Sequence, residues 1–224
     1  MTALIDTWAT TAEAENAMPA EHAWIWREMI RAAGPLPEGA RVLDIGCNQG
    51  GFLRLLHDTA GFGQGVGVDL AQEAVAIANA AAGSRPIRYL AATDLAAAGA
   101  GFDAAFSHEV VYLIDDLADH AAQVFAALKP GGRYDAVTCC HRDNPLWPTW
   151  RPAIQAYSTV PVPDHSVADI AGALRAAGFE VSIARFLAAS PVPAPGPSAL
   201  MPTDLDRLEV YTRWKLLFRA TRPG

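Results

Sequence analysis

The chain has 224 residues, 51% of them apolar and 18% charged, so it can bury the core of a single domain. Its net charge of −7, with no lysine or arginine run, argues against DNA or tRNA partners, whose binding depends mostly on neutralising phosphates. No apolar run approaches the roughly 18 residues of a membrane span, and we expect no secretion signal. The lack of both features predicts a cytoplasmic protein. The three cysteines form no disulfide framework and no Cys-x-x-Cys spacing, so we expect reduced thiols and no metal site.

The first predicted element is a helix over residues 12–33, which ends at the Gly34–Pro37 segment. Trp24 and Trp26 fall within it, either as part of an amphipathic face that packs on a sheet or as the lining of a lid. The chain has two lysines but many arginines and alanines, a composition typical of a GC-rich bacterial genome.

Residues 41–52 read Arg-Val-Leu-Asp-Ile-Gly-Cys-Asn-Gln-Gly-Gly-Phe, a short apolar strand that runs into a glycine-rich turn and then into a helix. Gly46 and Gly50 permit positive φ and let backbone N–H groups approach a ligand, and Asn48 is the non-glycine residue that best tolerates the same region. Asp44, two residues before Gly46, favours a cationic ligand over the pyrophosphate of a dinucleotide.

The segments that follow alternate between strand and helix, as a parallel α/β sheet requires. Asp69 ends the second strand about 20 residues after the loop, the spacing at which a carboxylate holds ribose hydroxyls. A Lys-Pro-Gly-Gly-Arg turn is predicted at 129–133. The predicted strands are 42–45, 65–69, 87–91, 102–107, 134–139 and 179–186, and the predicted helices are 72–82, 115–128 and 167–177, with a final segment at 208–220.

The acidic-x-Gly-x-Asn-x-Gly loop, Asp69 and the Lys-Pro-Gly-Gly turn together resemble the class I S-adenosylmethionine (SAM) dependent methyltransferases, closely over residues 40–140 and more loosely in the tail. The resemblance implies a doubly wound, Rossmann-like α/β fold with a seven-stranded sheet, a terminal antiparallel strand and an N-terminal helical lid. It implies one domain over 1–224, with the lid at 1–37, the SAM-binding core at 38–140, and a substrate loop with C-terminal helix and hairpin at 141–224. The implied cofactor-binding residues are Asp44, Gly46, Asn48, Gly50, Asp69, Leu70, Thr93, Asp94 and Ser107.

The acceptor side is expected after the fourth and fifth strands, where open α/β sheets bind ligands. Here His108 and His141 are candidate general bases, although each could be an ordinary histidine bonded to backbone. Residues 140–157 are predicted to form a long polar and aromatic loop. Candidate acceptor-binding residues are Glu109, Tyr112, Arg142, Trp147 and Trp150, each with a structural alternative such as packing or a solvated charge.

These features predict methyl transfer from SAM, which leaves S-adenosylhomocysteine, to an oxygen or nitrogen of a small-molecule acceptor. The expected partner is that acceptor, with no nucleic acid and no membrane, and the oligomeric state stays open. Two alternatives remain: a non-catalytic SAM-binding module, and an NAD-dependent oxidoreductase, whose Gly-x-Gly-x-x-Gly order Asn48 breaks.

Overall fold

The computed structural model describes residues 3–188 and 190–224, with the side chains of residues 12–21 outside that description. The predicted N-terminal lid, residues 1–37, therefore lies partly outside the described residues. The helices are α1 (Ala12–Ala33), α2 (Gly51–Ala60), α3 (Gln72–Ala81), α4 (Leu117–Ala127), α5 (Trp147–Tyr157), α6 (Val167–Ala176) and α7 (Asp204–Glu209). The strands are β1 (Arg41–Ile45), β2 (Gln64–Asp69), β3 (Ile87–Ala91), β4 (Phe102–His108), β5 (Leu128–Thr138), β6 (Glu180–Arg185) and β7 (Leu216–Thr221).

The strands form one seven-stranded sheet in the order β3-β2-β1-β4-β5-β7-β6. β1 to β5 pair in parallel, and β7 runs antiparallel between β5 and β6. This arrangement confirms the predicted Rossmann-like sheet with its late antiparallel strand. The strand order reverses at β1 and β4, and this reversal opens a crevice at their carboxyl ends.

Two apolar clusters cover the two faces of the sheet, because successive side chains of a strand point to opposite sides. Leu43 packs in the cluster that contains Val124 of α4 and Ile170 of α6. Its neighbour Val42 packs in the other cluster, with Ile25 of α1 and Leu53 of α2. Helices therefore cover both faces, as a doubly wound fold requires. Within the described part of the chain, no helix is both long enough and apolar enough to cross a membrane.

The prediction of a loop over residues 140–157 is wrong for its second half, because Trp147–Tyr157 forms the helix α5. Trp147, Trp150 and Ile154 are spaced to share one helix face, and all three are buried in a third apolar cluster. Pro148 lies in the first turn of α5, where backbone N–H groups have no partner within the helix. The N–H that proline lacks therefore costs no helical hydrogen bond.

The predicted turn at 129–133 is also different, because it lies inside β5 rather than before it. Leu128 already pairs with Phe102, and the register then shifts before Arg133 pairs with Ala104. The turn residues therefore form an irregularity within the strand, where Gly131 adopts a φ of 76°.

Candidate active site

A cavity of about 1690 Å³ lies at the carboxyl ends of the parallel strands. Its walls come from the turns after β1 to β5, from α1, from residues 193–201 and from the segment before β7. Predicted site residues that line it are Asp44, Gly46, Asn48, Asp69, Leu70, Thr93, Asp94, His108, Glu109, Tyr112 and Trp150. The fold thus brings most of the sequence-predicted residues to one place.

The turn after β1 has the backbone that the sequence predicts. Gly46, Asn48 and Gly50 have φ values of 71°, 44° and 72°. A Cβ at Gly46 would lie less than 3.0 Å from the side chain of Val110, and one at Gly50 would lie less than 3.0 Å from the ring of Tyr89. Both glycines are therefore required by packing as well as by φ. The Gly46 contact places the segment after β4 directly against the cofactor turn.

Asp44 and Asp69 create a negative region at this turn. Asp44 is 4% exposed, and its Oδ2 atom has no hydrogen-bond partner among the described residues. Burial and the charge of Asp69 raise the pKa of Asp44 well above its usual range. Asp69 is positioned by the backbone, since its carboxylate accepts from the N–H groups of Asn48 at 2.7 Å and Ala71 at 2.9 Å.

These features fit a cationic ligand. An unpartnered buried carboxylate oxygen needs a donor, and an ammonium group supplies one together with a compensating charge. SAM carries both an ammonium group and a positively charged sulfur. Asp44 and the loop amides are therefore suited to its methionine end, and Asp69 to its ribose.

The residues expected beside the adenine occupy the turn after β3. Thr93 and Asp94 line the cavity and are exposed. Asp94 also caps the 3₁₀ turn Leu95–Ala98, since its Oδ1 accepts from the N–H of Ala96 at 2.6 Å. Buried His120 lines the same part of the cavity, and sequence analysis did not identify it. Burial lowers the pKa of His120 to about 4, so its imidazole is neutral at pH 7.

Ser107 does not reach the cofactor side of the cavity. It is 1% exposed, and its hydroxyl is 2.7 Å from Oη of Tyr134, in a buried pair that also contacts Nε2 of His120 at 3.2 Å. The alternation of β4 explains this placement, because Ser107 and His108 point to opposite sides of the sheet. Ser107 therefore lies outside the cavity lining, contrary to the prediction that it contacts the cofactor.

A polar cluster forms the opposite wall of the cavity, where β4 and β5 end. Lys215 is 2% exposed and donates a short hydrogen bond to Oε1 of Glu109. Its Nζ atom is also 3.3 Å from Nε2 of His108. The ring of His22, from α1, packs edge-on against His108 with 4.8 Å between the ring centroids. These four residues, His22, His108, Glu109 and Lys215, are called the polar cluster below.

The charges in the polar cluster depend on one another. Burial acts to raise the pKa of Glu109, but the charge of Lys215 and the hydrogen bonds from Lys215 and Thr138 act together to hold that pKa below its ordinary value. Burial and the charge of Lys215 both lower the pKa of His108, and the same causes lower the pKa of His22 to about 4. At neutral pH the cluster therefore contains one ion pair and two neutral imidazoles.

Lys215 and His22 were missed by the sequence analysis. A π-helical turn, Val210–Trp214, directly precedes Lys215. The backbone N–H of Lys215 donates to the carbonyl oxygen of Val210. Such turns are rare and occur often at functional sites. The turn also brings Tyr211 to the cavity, where its ring lies 5.5 Å from Nζ of Lys215. The one available signal in the sequence was that only two lysines occur among 17 basic residues.

Three predicted residues of the 141–150 segment lie away from the cavity. His141 is 1% exposed and its Nε2 contacts the carbonyl oxygen of Trp214 at 2.9 Å. Arg142 is exposed and contacts Asp169 at 3.3 Å. Trp147 is buried and donates from Nε1 to Asp164 at 2.8 Å. None of the three lines the cavity, so the structure does not support His141 as a base or the other two as acceptor contacts.

The remaining predicted acceptor contacts, Tyr112 and Trp150, do line the cavity. Trp150 is held by a hydrogen bond from Nε1 to the carbonyl oxygen of Leu200, at 2.6 Å. Other aromatic side chains also line the cavity: Trp8, Tyr157 and Tyr211, together with Trp24 and Trp26 of α1, for which the sequence left packing and a lid open.

Comparisons with known proteins agree with this geometry. A family model described as a methyltransferase domain matches residues 17–182. No curated protein has a sequence that matches the chain. A Haloferax volcanii methyltransferase, solved in a complex with the Trm112 methyltransferase activator, is 25% identical, with a TM-score of 0.80 over 96% of each chain.

Two further solved structures share the fold. A SAM-dependent methyltransferase from Mesorhizobium loti is 24% identical, with a TM-score of 0.61 over 87% of this chain and 96% of its own. The geranyl diphosphate C-methyltransferase of Streptomyces coelicolor, solved with S-adenosylhomocysteine, is 17% identical, with a TM-score of 0.68 over 95% of this chain and 86% of its own.

The Haloferax complex corrects the expected partners. The sequence-based expectation named a small-molecule acceptor and no protein, and it is wrong in that respect, because a relative that matches along the whole fold assembles with a protein activator. The family match also removes the oxidoreductase and the non-catalytic alternatives. The chain belongs to the methyltransferase-domain family and is a SAM-dependent methyltransferase.

Proposed function

We propose that the enzyme transfers the methyl group to an oxygen or nitrogen atom of its acceptor, and that Lys215 stabilises negative charge on the acceptor atom. The observation that carries this proposal is a buried ammonium group in the cavity wall, between His108 and Glu109. An ammonium group in a site shielded from water interacts strongly with an oxyanion. Oxygen acceptors that ionise readily are therefore favoured over protonated amines.

The cofactor half of the site acts by positioning. Bound SAM supplies a methyl group on a positively charged sulfur, which is already activated for displacement. Asp44 and the loop amides hold the methionine end, and Asp69 holds the ribose. Fixing the reacting atoms in contact contributes on the order of 7–11 kcal/mol. This is the largest catalytic effect that the chain's residues need to provide.

His108 has a secondary part in proton transfer. An ammonium group only donates, so Nε2 of His108 accepts from Lys215 and the imidazole is neutral. An acceptor hydroxyl or amine must replace Lys215 at Nε2 before His108 can take its proton. The low pKa of His108 makes it a weak base, and its expected contribution is at the lower end of the 10²–10⁴-fold typical of general bases, about 10²-fold.

The other walls of the cavity indicate the chemical character of the acceptor molecule away from its reacting atom. Tyr112, Trp150, Ile154 and Met201 line the wall beyond the polar cluster. These side chains offer apolar and aromatic surface, with few fixed charges. An acceptor with an apolar or aromatic body and one ionisable hydroxyl or amine fits these walls.

The two lysines of the chain provide a matched test. Lys215→Met removes the buried ammonium with little change in length, and Lys129→Met removes the other ammonium, which pairs with Asp103 at the surface. Release of S-adenosylhomocysteine is measured with a panel of hydroxyl and amine acceptors. We expect Lys215→Met to lower kcat by at least about 10²-fold, with SAM affinity near that of the wild type, and Lys129→Met to keep full activity.

A double variant separates catalysis from folding. Lys215→Met leaves the Glu109 carboxylate buried without its partner, whereas Lys215→Met combined with Glu109→Gln removes both charges. If the folded double variant turns over like the wild type, Lys215 has no electrostatic role and the proposal is wrong. No turnover by the wild type with any hydroxyl or amine acceptor would contradict the acceptor chemistry.

A protein partner and a cytoplasmic location complete the proposal. The likeness to the Haloferax methyltransferase supports an activator protein of the Trm112 type. Co-elution of the purified chain with Trm112 in size-exclusion chromatography tests it, and separate elution at micromolar concentrations would count against it. The three free cysteines support a reducing compartment.

A further inference from the structure

The carboxyl end of β5 holds two cysteines that the proposed function does not use, and they lie next to Glu109 of the polar cluster. Cys139 and Cys140 follow β5, and Glu109 follows β4. The carboxylate oxygen and the two sulfur atoms all lie within 4.8 Å of one another. From this geometry we infer that Glu109, Cys139 and Cys140 form a binding site for a thiophilic divalent cation such as Zn²⁺.

The three donor atoms already lie close to one another. The Cys139 thiol donates to Oε1 of Glu109 at 3.1 Å, and the Cys140 sulfur lies within 4.8 Å of the Cys139 sulfur and of a Glu109 carboxylate oxygen. Sulfur atoms that share a tetrahedral zinc ion with Zn–S bonds of about 2.3 Å are roughly 3.8 Å apart. The set therefore has to close by at most about 1 Å to bind an ion.

The carboxylate is fixed in place by its surroundings. Glu109 has a φ of 53°, a left-handed conformation that is uncommon outside glycine. Its carboxylate accepts from the Thr138 hydroxyl at 2.7 Å and from the Cys139 N–H at 3.1 Å. The same hydroxyl oxygen accepts from the Cys140 N–H at 3.0 Å. Thr138 thus orients the carboxylate and one of the two cysteines, as the supporting residues of metal sites do.

The charge of this site and its access from the cavity also suit a divalent cation. Two thiolates and a carboxylate around a divalent cation carry one net negative charge, and the adjacent ammonium of Lys215 balances it. Two thiolates and one carboxylate select a soft ion over Mg²⁺ or Ca²⁺. All three residues line the cavity, so an ion can reach them from its interior. Each thiol gives up its proton to solvent as the metal–sulfur bond forms.

The inference does not depend on the proposed acceptor, because the test needs neither cofactor nor acceptor. The full chain, kept reduced with a phosphine, is titrated with Cd²⁺, and the ultraviolet absorbance of cadmium–thiolate bonds is recorded. We expect one ion per chain, displaced by added Zn²⁺. Cys139→Ser and Cys140→Ser should each weaken binding by more than about tenfold and reduce the absorbance.

The third cysteine supplies the matched control. Cys47 is also buried and lines the same cavity, but it lies outside the cluster. Cys47→Ser should keep both the affinity and the absorbance of the wild type, whereas Glu109→Gln should weaken binding while the thiolate absorbance per bound ion remains. Circular dichroism checks that each variant is folded. Absence of the absorbance in the wild type, or its persistence in folded Cys139→Ser, would overturn the inference.

Discussion

The two halves of the cavity are built in different ways. The cofactor half consists of short turns after β1, β2 and β3, and its key groups are a backbone turn and two strand-end carboxylates. The acceptor half joins His22, Glu109 and Lys215, residues that are up to 193 positions apart in the chain, around one buried ion pair. The first half therefore depends on a fixed backbone turn and two carboxyl groups, whereas the second depends on a balance of buried charges.

The largest expected effect comes from the backbone of the cofactor half. Gly46→Ala places a Cβ against Val110 and should abolish SAM binding, measured by calorimetric titration. Gly39→Ala is the control, because Gly39 has a similar φ of 67° but no atom of the described part of the chain lies within 4 Å of its Cβ position. It should cost about 1–2 kcal/mol of stability from strain and leave binding intact. Equal loss of binding in both variants would refute the steric account.

A substitution in the acceptor half should instead change the free energy of unfolding. Lys215→Met should lower the free energy of unfolding by about 3–5 kcal/mol, because it leaves the carboxylate of Glu109 buried without a partner. The surface variant Lys129→Met should change it by less than about 1 kcal/mol. Urea denaturation measures both. If Lys215→Met is as stable as Lys129→Met, the ion pair is not buried in solution.

Asp69→Ala and His108→Gln together test whether the cofactor half and the acceptor half act independently. Asp69→Ala should weaken SAM binding by roughly 1.5–3 kcal/mol, the range for hydrogen bonds to a charged group. His108→Gln, on the opposite wall, should leave the SAM dissociation constant near that of the wild type. A large change in SAM affinity from His108→Gln would show that the two halves act as one unit.

The smallest expected effect is a pH dependence of SAM affinity. The raised pKa of Asp44 means that its carboxyl becomes protonated as the pH falls, and a protonated carboxyl no longer attracts the cationic cofactor. SAM affinity should therefore rise with pH until Asp44 is ionised, by at most about tenfold per pH unit. Asp44→Asn should bind more weakly and lose this dependence, so the same pH profile in both proteins would contradict the role of Asp44.

The backbone of the cofactor turn could be predicted from the sequence for a physical reason. The turn after β1 and the carboxylate after β2 depend on local residue types, namely glycine at positive φ and aspartate at a strand end. The order of the sheet came from the resemblance rather than from periodicity. The packing reason for Gly46 could not be predicted, because its neighbour Val110 is 64 positions away.

The acceptor half was predicted less well because long-range contacts decide it. His108 and Glu109 were found from their place after β4, but Lys215 acquires its role only when the π-helical turn brings it against Glu109. His141 has the same residue type and a similar position after β5, yet it is buried against the carbonyl oxygen of Trp214. The type of a residue and its strand end do not determine which wall it faces.

A crystal structure with S-adenosylhomocysteine tests the division of the cavity most directly. We expect the ammonium group of the ligand within hydrogen-bond distance of Oδ2 of Asp44 and its ribose hydroxyls on Asp69. Its sulfur should face the wall that carries His108 and Lys215. A ligand that leaves Asp44 without a contact, or whose sulfur points away from Lys215, would contradict the account.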